Sequence, residues 1–171
     1  MKFNFFYICL LLGILLSCKR EHLKTDDSPN FGFTANNINY KWNFVNSPAS
    51  DDTDVFFRKT TSQNTNDSMY LLIGRNQSAN VEMVCAIPTS KLKPGTYTTV
   101  TKQSDMYVEN LCFLKDITYG TKTDDYMVVT ISSIVDNYAS GSFSTVMHDL
   151  RSGVNELRIV NGYFNHVLIS E

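Results

Sequence analysis

The stretch ELRIVNGYFNHVLI, residues 156–169, carries the clearest strand signals of the chain. Leu157 and Ile159 alternate with charged residues, which is typical of a β-strand with one buried face. Asn161 and Gly162 follow directly. Because both residue types accept the positive φ of a type I′ turn, this pair predicts a two-residue hairpin loop.

The second half of this stretch contains two apolar residues at an odd spacing, Phe164 and Val167. Successive side chains of a regular strand point to opposite faces of the sheet, so these two side chains cannot share one face. Either a β-bulge lies between them or both faces of the strand are covered.

Comparable signals extend outward from there to residue 31. Aromatic and β-branched residues alternate with turn residues at short intervals, and no segment of ten or more residues has helical periodicity. Among the predicted elements are an opening hairpin around Asn36-Asn37, strands over 81–87, 106–114 and 126–135, and a turn over 136–141. About ten short strands predict an all-β fold, either an antiparallel β-sandwich or a partly open β-barrel.

The first residues of the chain have the features of an export signal. Lys2 precedes an apolar run that ends at Leu16 and is too short to span a bilayer as a helix. The run ends in Leu-Leu-Ser-Cys, which resembles the lipobox of bacterial lipoproteins. The resemblance implies that residues 1–17 are a signal peptide and that Cys18 becomes the lipidated N-terminus.

Two parts of the chain follow the predicted signal peptide. Residues 18–30 would hold the lipidated cysteine and a polar, flexible tether, since they contain too few apolar residues to order themselves. Residues 31–171 would form a single all-β domain. Two or more acyl chains hold a protein stably at a membrane without a transmembrane segment, so the membrane is the first expected partner.

The charge of the chain argues against nucleic acid as a partner. The sequence has 15 Lys and Arg against 17 Asp and Glu. Removal of residues 1–17 takes one lysine and no acidic residue, which changes the net charge from −2 to −3. Nucleic-acid-binding proteins need clustered basic surface, which a weakly acidic chain does not offer.

Two cysteines remain in the domain, Cys85 and Cys112. Exported proteins occupy compartments where disulfides persist, so the two could form one bridge that stabilises the fold. The alternative is a pair of buried, unreactive thiols.

Sequence patterns of enzymes, metal sites and cofactors are missing from the chain. It has no Gly-x-Ser-x-Gly motif, and the spacing of His148 and His166 suggests neither a catalytic triad nor a metal site. We interpret both histidines as surface or half-buried strand residues. The acidic run 51–54 lacks the glycine and the distal glutamate of a calcium loop. We therefore expect a protein that is not an enzyme and has no cofactor.

Several short motifs resemble small lipoproteins of Bacteroidetes. They are FTANNINYKW at 33–42, PGTY at 94–97, SGSFS at 140–144 and LRIVNGYF at 157–164. These families are all-β domains of unknown function. The resemblance therefore implies an outer-membrane lipoprotein and no particular activity. Surface-exported members tend to carry acidic residues after the lipidated cysteine, whereas this chain has Lys19-Arg20, so both the periplasmic face and the cell surface remain open.

Two further expectations concern modification and function. Asp67-Ser68-Met69 resembles the O-glycosylation pattern of exported Bacteroidetes proteins, with Ser68 as the acceptor. Our first hypothesis is a non-catalytic binding module that contacts an envelope protein or a glycan. The alternative is a barrel-like carrier of a small apolar ligand, since about eight strands can enclose one such ligand.

Overall fold

The computed structural model describes residues 30–43, 53–61, 66–100, 110–122 and 125–170, and these contain strands and no helix. In chain order the strands are β1 (Phe31–Ala35), β2 (Ile38–Trp42), β3 (Thr53–Thr61), β4 (Ser68–Asn76), β5 (Val81–Ile87), β6 (Gly95–Val100), β7 (Leu111–Leu114), β8 (Ile117–Gly120), β9 (Tyr126–Val135), β10 (Tyr138–Asp149) and β11 (Glu156–Ser170). The all-β prediction is confirmed. Within the described ranges, no helix exists that could cross a membrane.

The described strands form one continuous sheet of 11 strands that folds over into two parts, which we call the two sheets. One sheet has the order β2-β1-β11-β10-β9-β6, and the other has the order β3-β4-β5-β7-β8. The sheets join twice, where the end of β11 pairs with β3 and where the end of β10 pairs with β8. These two junctions close a ring of seven strands, an arrangement that fits a sandwich or an open barrel. The β11–β3 pairing is parallel, which makes the otherwise antiparallel sheet mixed.

Aromatic side chains fill the space between the two sheets. The fully buried ring of Phe31 on β1 lies 5.0 Å from the ring of Trp42 and 5.5 Å from that of Phe143. The same ring covers Gly74 on β4 of the facing sheet. On the other side of the core, the rings of Phe57 and Phe164 are 5.4 Å apart. Trp42 is thus a core residue.

The predicted hairpin at Asn161-Gly162 is wrong, because β11 continues through it as one strand of 15 residues. A type I′ turn needs positive φ at both residues, and only Asn161 has it, at 51°. The register instead shifts between Phe143 and Thr145 of β10, where a β-bulge in β11 accommodates the extra residue. Strand β11 therefore keeps β10 as its neighbour on both sides of the bulge.

A second bulge in β11 explains how Phe164 and Val167, three residues apart, can face the same core. Both side chains are fully buried in the same core. The register shifts between Ala139 and Gly141 of β10, and His166 of β11 has a φ of 56°. Of the two alternatives, the β-bulge is therefore the one observed.

Two other predicted boundaries need correction. The predicted strand 106–114 is described only from residue 110, and β7 begins at Leu111; a hairpin to β8 then follows that the sequence did not predict. This hairpin turns at Lys115, which has a φ of 57°. The predicted turn 136–141 is only two residues long, Asp136 and Asn137, because β10 already begins at Tyr138.

Candidate functional site

A groove follows the outer face of the six-stranded sheet along β10. Its larger part is a depression of about 460 Å³ at the end of β10, between the beginnings of β9 and β11. A smaller depression of about 270 Å³ continues it, and the two share Ser144 as a lining residue. Side chains alternate along β10, so Ser142, Ser144, Val146 and His148 point into this groove while their neighbours enter the core. We call the whole feature the β10 groove.

Four ionisable side chains meet at one end of the β10 groove. His148 Nδ1 lies 3.1 Å from Asp125 Oδ2, and both side chains are about one-fifth exposed, at 18% and 20%. Glu156 stands directly opposite His148 on β11, and the Arg158 guanidinium donates to it at 3.2 Å. This end can therefore both donate and accept charge-assisted hydrogen bonds.

The loop before β9 positions Asp125. Its Oδ2 accepts a hydrogen bond from the backbone N–H of Lys122 at 2.6 Å, in addition to its contact with His148. The Lys122 ammonium group in turn bonds the backbone oxygen of Gly153 in the β10–β11 connection. The carboxylate is thus fixed by two neighbouring loops, which preorganises the charged end of the groove.

Small hydroxyl side chains line the other end of the β10 groove. Thr130 of β9 pairs across the strands with Ser142 of β10, and its hydroxyl lies 3.1 Å from that of Thr96 on β6. The bulged Asn161 of β11 borders the same depression. Because Ser142 and Ser144 are small, the face is recessed here and presents hydroxyl groups.

The floor of the β10 groove has no free strand edge. β10 is hydrogen-bonded to β9 on one side and to β11 on the other, so most of its backbone donors and acceptors are already paired. A ligand in the groove would therefore be recognised mainly through side chains. Tyr126 stands at the rim, with 58% of its surface exposed.

Ser144, two positions before Val146 on the same face of β10, does not form a catalytic triad with His148 and Asp125. It lies four residues before the histidine, which is about 13 Å along a strand. A triad needs the nucleophile within hydrogen-bond reach of the imidazole. Among the residues that the structure describes, no cluster of three or more His, Cys, Asp or Glu could hold a metal ion.

Sequence reasoning missed this pair of residues for a simple reason. Asp125 and His148 are 23 positions apart and meet only because the start of β9 passes beside the end of β10. No local sequence pattern marks Asp125 as a partner of His148. As predicted, His148 is a half-buried strand residue and His166 is exposed.

The two domain cysteines lie on neighbouring strands as free, buried thiols. Cys112 of β7 pairs with Met83 of β5, so Cys85 is offset from it by two residues. Such diagonal neighbours are about 7–8 Å apart, at or beyond the reach of a disulfide. Both thiols are free in the structure, and the disulfide stays a prediction. Burial raises the pKa of Cys112 to about 12 and that of Cys85 well above its usual value.

The other predicted site residues are placed as follows. Cys18 and the acidic residues at 51 and 52 lie outside the described residues, whereas Thr53 and Asp54 begin β3 rather than a loop. Ser68 is the half-buried first residue of β4, where it pairs with Thr61. The O-glycosylation of Ser68 stays a prediction.

A further depression of about 430 Å³ lies on the outer face of the other sheet. Arg75 and Glu82 occupy it, and the Arg75 Nε lies 2.7 Å from the Glu82 carboxylate. This depression contains one such ion pair, whereas the β10 groove brings two ion pairs together.

Comparison with known proteins produced no match. No family model fits the chain, and no similar curated protein or solved structure was found. The resemblance to Bacteroidetes lipoproteins therefore stays a prediction.

Proposed function

We propose that this protein is a lipid-tethered, non-catalytic binding module of a bacterial outer membrane, and that the β10 groove holds a glycan. The tether follows from the predicted lipidation of Cys18. The observation that carries the binding role is the β10 groove itself. It combines a charged end at His148 and Asp125 with a hydroxyl-lined end at Thr130 and Ser142.

The backbone of the groove favours a glycan over an extended peptide. Peptides that bind sheets usually add a strand to a free edge and bond its backbone. The floor of the β10 groove is the middle of a sheet, where both edges of β10 are paired. Sugar hydroxyls, by contrast, can bond the side chains of Asp125, Glu156 and Arg158, and the exposed ring of Tyr126 offers an apolar surface at the rim.

The interior of the fold supports a surface site rather than an apolar carrier. A carrier needs an open cavity between its strands. In the described part of the chain, the space between the sheets is packed by the rings of Phe31, Phe57, Phe143 and Phe164.

Binding to immobilised oligosaccharides tests this proposal. We expect the mature protein to retain a subset of bacterial envelope glycans on an array, and His148→Ala and Tyr126→Ala to weaken that retention at least tenfold. Arg75→Ala is the matched control, because Arg75 lies in the depression of the other sheet and its loss should leave binding unchanged.

Two outcomes of this experiment would count against the proposal. If no glycan binds, the ligand class is wrong, and crosslinking from the groove would then test for an envelope protein. If a glycan binds and Arg75→Ala weakens it as much as His148→Ala, the site is misplaced.

Intact mass tests the two predicted modifications. Protein from the membrane fraction should carry the mass of acyl chains, and Cys18→Ala should remove both that mass and the membrane association. Ser68→Ala should lower the mass of protein from its native host by one glycan. If the mass of a variant changes only by the substitution itself, the corresponding modification is refuted.

A further inference from the structure

An exposed apolar row crosses the outer surface at the end of the fold opposite the charged end of the β10 groove. Val135 of β9 pairs with Tyr138 of β10, which pairs with Leu168 of β11, and Leu168 pairs with Phe56 of β3. Val135 is 61% exposed and Leu168 is 37% exposed, while Tyr138 and Phe56 are half-buried. Single exposed apolar residues are ordinary, but four in one register form a continuous surface. We call these four residues the apolar corner.

Tyr138 of the apolar corner stacks on His166, a residue of the second bulge in β11. The ring of His166 lies parallel to the ring of Tyr138, with centroids 4.1 Å apart and an interplanar angle of 4°. The bulge turns His166 out at a φ of 56°, and its backbone N–H bonds the Ser140 hydroxyl at 3.0 Å. Tyrosine and imidazole rings combine an apolar body with a polar tip, which suits the boundary between lipid and water.

The segment that leads to the predicted lipid leaves the domain beside the apolar corner. The backbone oxygen of Asn30 accepts a hydrogen bond from the N–H of Asn165 at 2.7 Å. Asn165 precedes Leu168 by three residues on β11, which is about 10 Å along a strand. Twelve positions separate the predicted lipidation site, Cys18, from Asn30. The acyl chains would therefore be attached at a point nearer to this corner than to the other end of β10.

We propose that the apolar corner rests on the lipid surface of the membrane and turns the charged end of the β10 groove away from it. The inference relies on the lipid anchor of the proposed function. Tyr138 and His148 mark the two ends, ten residues apart on β10, or about 33 Å along the strand. The lipid alone would leave the domain free to rotate on its tether. Contact at a second point fixes which surface faces outward.

Fluorescence depth measurement on the lipidated full chain tests the proposal. The protein is reconstituted into vesicles of phosphatidylethanolamine and phosphatidylglycerol and carries an environment-sensitive dye on Val135→Cys. The buried native thiols should not react with the dye. Thr98→Cys, exposed on β6 of the same sheet and far from the apolar corner, is the matched control. We expect nitroxide-labelled lipids to quench the dye at 135 at least threefold more than at 98.

Each outcome of the experiment has one meaning. If the protein floats with the vesicles and both dyes are quenched equally, the apolar corner does not rest on lipid, although the anchor stands. If the protein does not float with the vesicles, the lipid anchor fails and the inference fails with it. Adding Leu168→Asp should abolish the excess quenching at 135 while flotation persists, and retained quenching would show that the row does not make the contact.

Discussion

Gly74→Ala tests whether the two sheets are held together as the structure indicates. A methyl group on Gly74 of β4 would overlap the ring of Phe31, whose Cε2 lies 2.8 Å from the position of the new carbon. The ring cannot move aside easily, because it is fully buried between the rings of Trp42 and Phe143. We therefore expect a cost near the upper end of the overpacking range, about 3 kcal/mol. For a domain of this size, that corresponds to a fall in Tm of about 6–12 °C.

A double-mutant cycle separates this clash from other effects of the alanine. Phe31→Leu removes the clashing ring and should itself cost about 1–2 kcal/mol, less than the 3–5 kcal/mol of a full truncation to alanine. In that background Gly74→Ala should cost less than about 1 kcal/mol, so the two changes should be coupled by about 2 kcal/mol.

Urea unfolding of the mature protein measures all four variants of the cycle. Circular dichroism follows the strands, and the fluorescence of Trp42, the single tryptophan, follows the same aromatic cluster. The urea dependence of the free energy should be equal in all variants, as expected for two-state unfolding. If Gly74→Ala costs the same with and without the Phe31 ring, the packing of β1 on β4 is not as described.

Three further predictions concern β11 and the buried polar groups. Asn161→Val should lower the free energy of unfolding by about 1–2 kcal/mol, because the positive φ of Asn161 disfavours a β-branched residue. Asn161→Gly should change it by less than about 0.5 kcal/mol. If urea titrations show that both variants destabilise the protein equally, the backbone of this bulge is not strained. Cys85 and Cys112 should resist Ellman's reagent at pH 8 until the protein is denatured. Burial raises the pKa of Cys112 from 9.0 to about 12, so the stability that its buried neutral thiol contributes should be lost as the pH rises through that window. Urea titrations at each pH should show this fall in the free energy of unfolding, and Cys112→Val should make it less steep. An equally steep fall in Cys112→Val would refute the assignment. Asn110→Ala should lower the free energy of unfolding by about 1–3 kcal/mol in the same assay, because the Oδ1 of the buried Asn110 accepts a hydrogen bond from the N–H of Ala86 at 2.8 Å. An Asn110→Ala variant of unchanged stability would mean that water replaces the side-chain amide as the acceptor.

Local patterns in the sequence predicted the individual strands well. The alternation over 81–87 matches β5, and the opening hairpin turns where Asn36 and Asn37 both take positive φ, at 48° and 66°. Both signals depend only on neighbouring residues: side chains alternate across a strand, and asparagine tolerates the left-handed backbone.

The same local reasoning failed where a distant strand decides the outcome. Asn161-Gly162 accepts positive φ in a hairpin and in a bulge alike, so the pair alone cannot distinguish them. Packing against β10 favours the bulge. The ring of Phe143 lies 2.5 Å from where a side-chain carbon on Gly162 would be, and Gly162 pairs with Phe143 in a continuous β10–β11 ladder. The β10 groove depends on the same ladder, and this explains why none of its charged residues could be grouped in advance.

The strand that closes the ring, β11, is also the last strand along the described chain. β1, β3 and β10 all pair with it, so none of these earlier strands has its complete set of neighbours until residues 156–170 have been made. Folding dominated by such distant pairings is slow, and incomplete chains expose open strand edges that favour aggregation. Nascent or truncated chains that end before β11 should therefore bind chaperones, and quality-control proteases should cleave them at the unpaired strands.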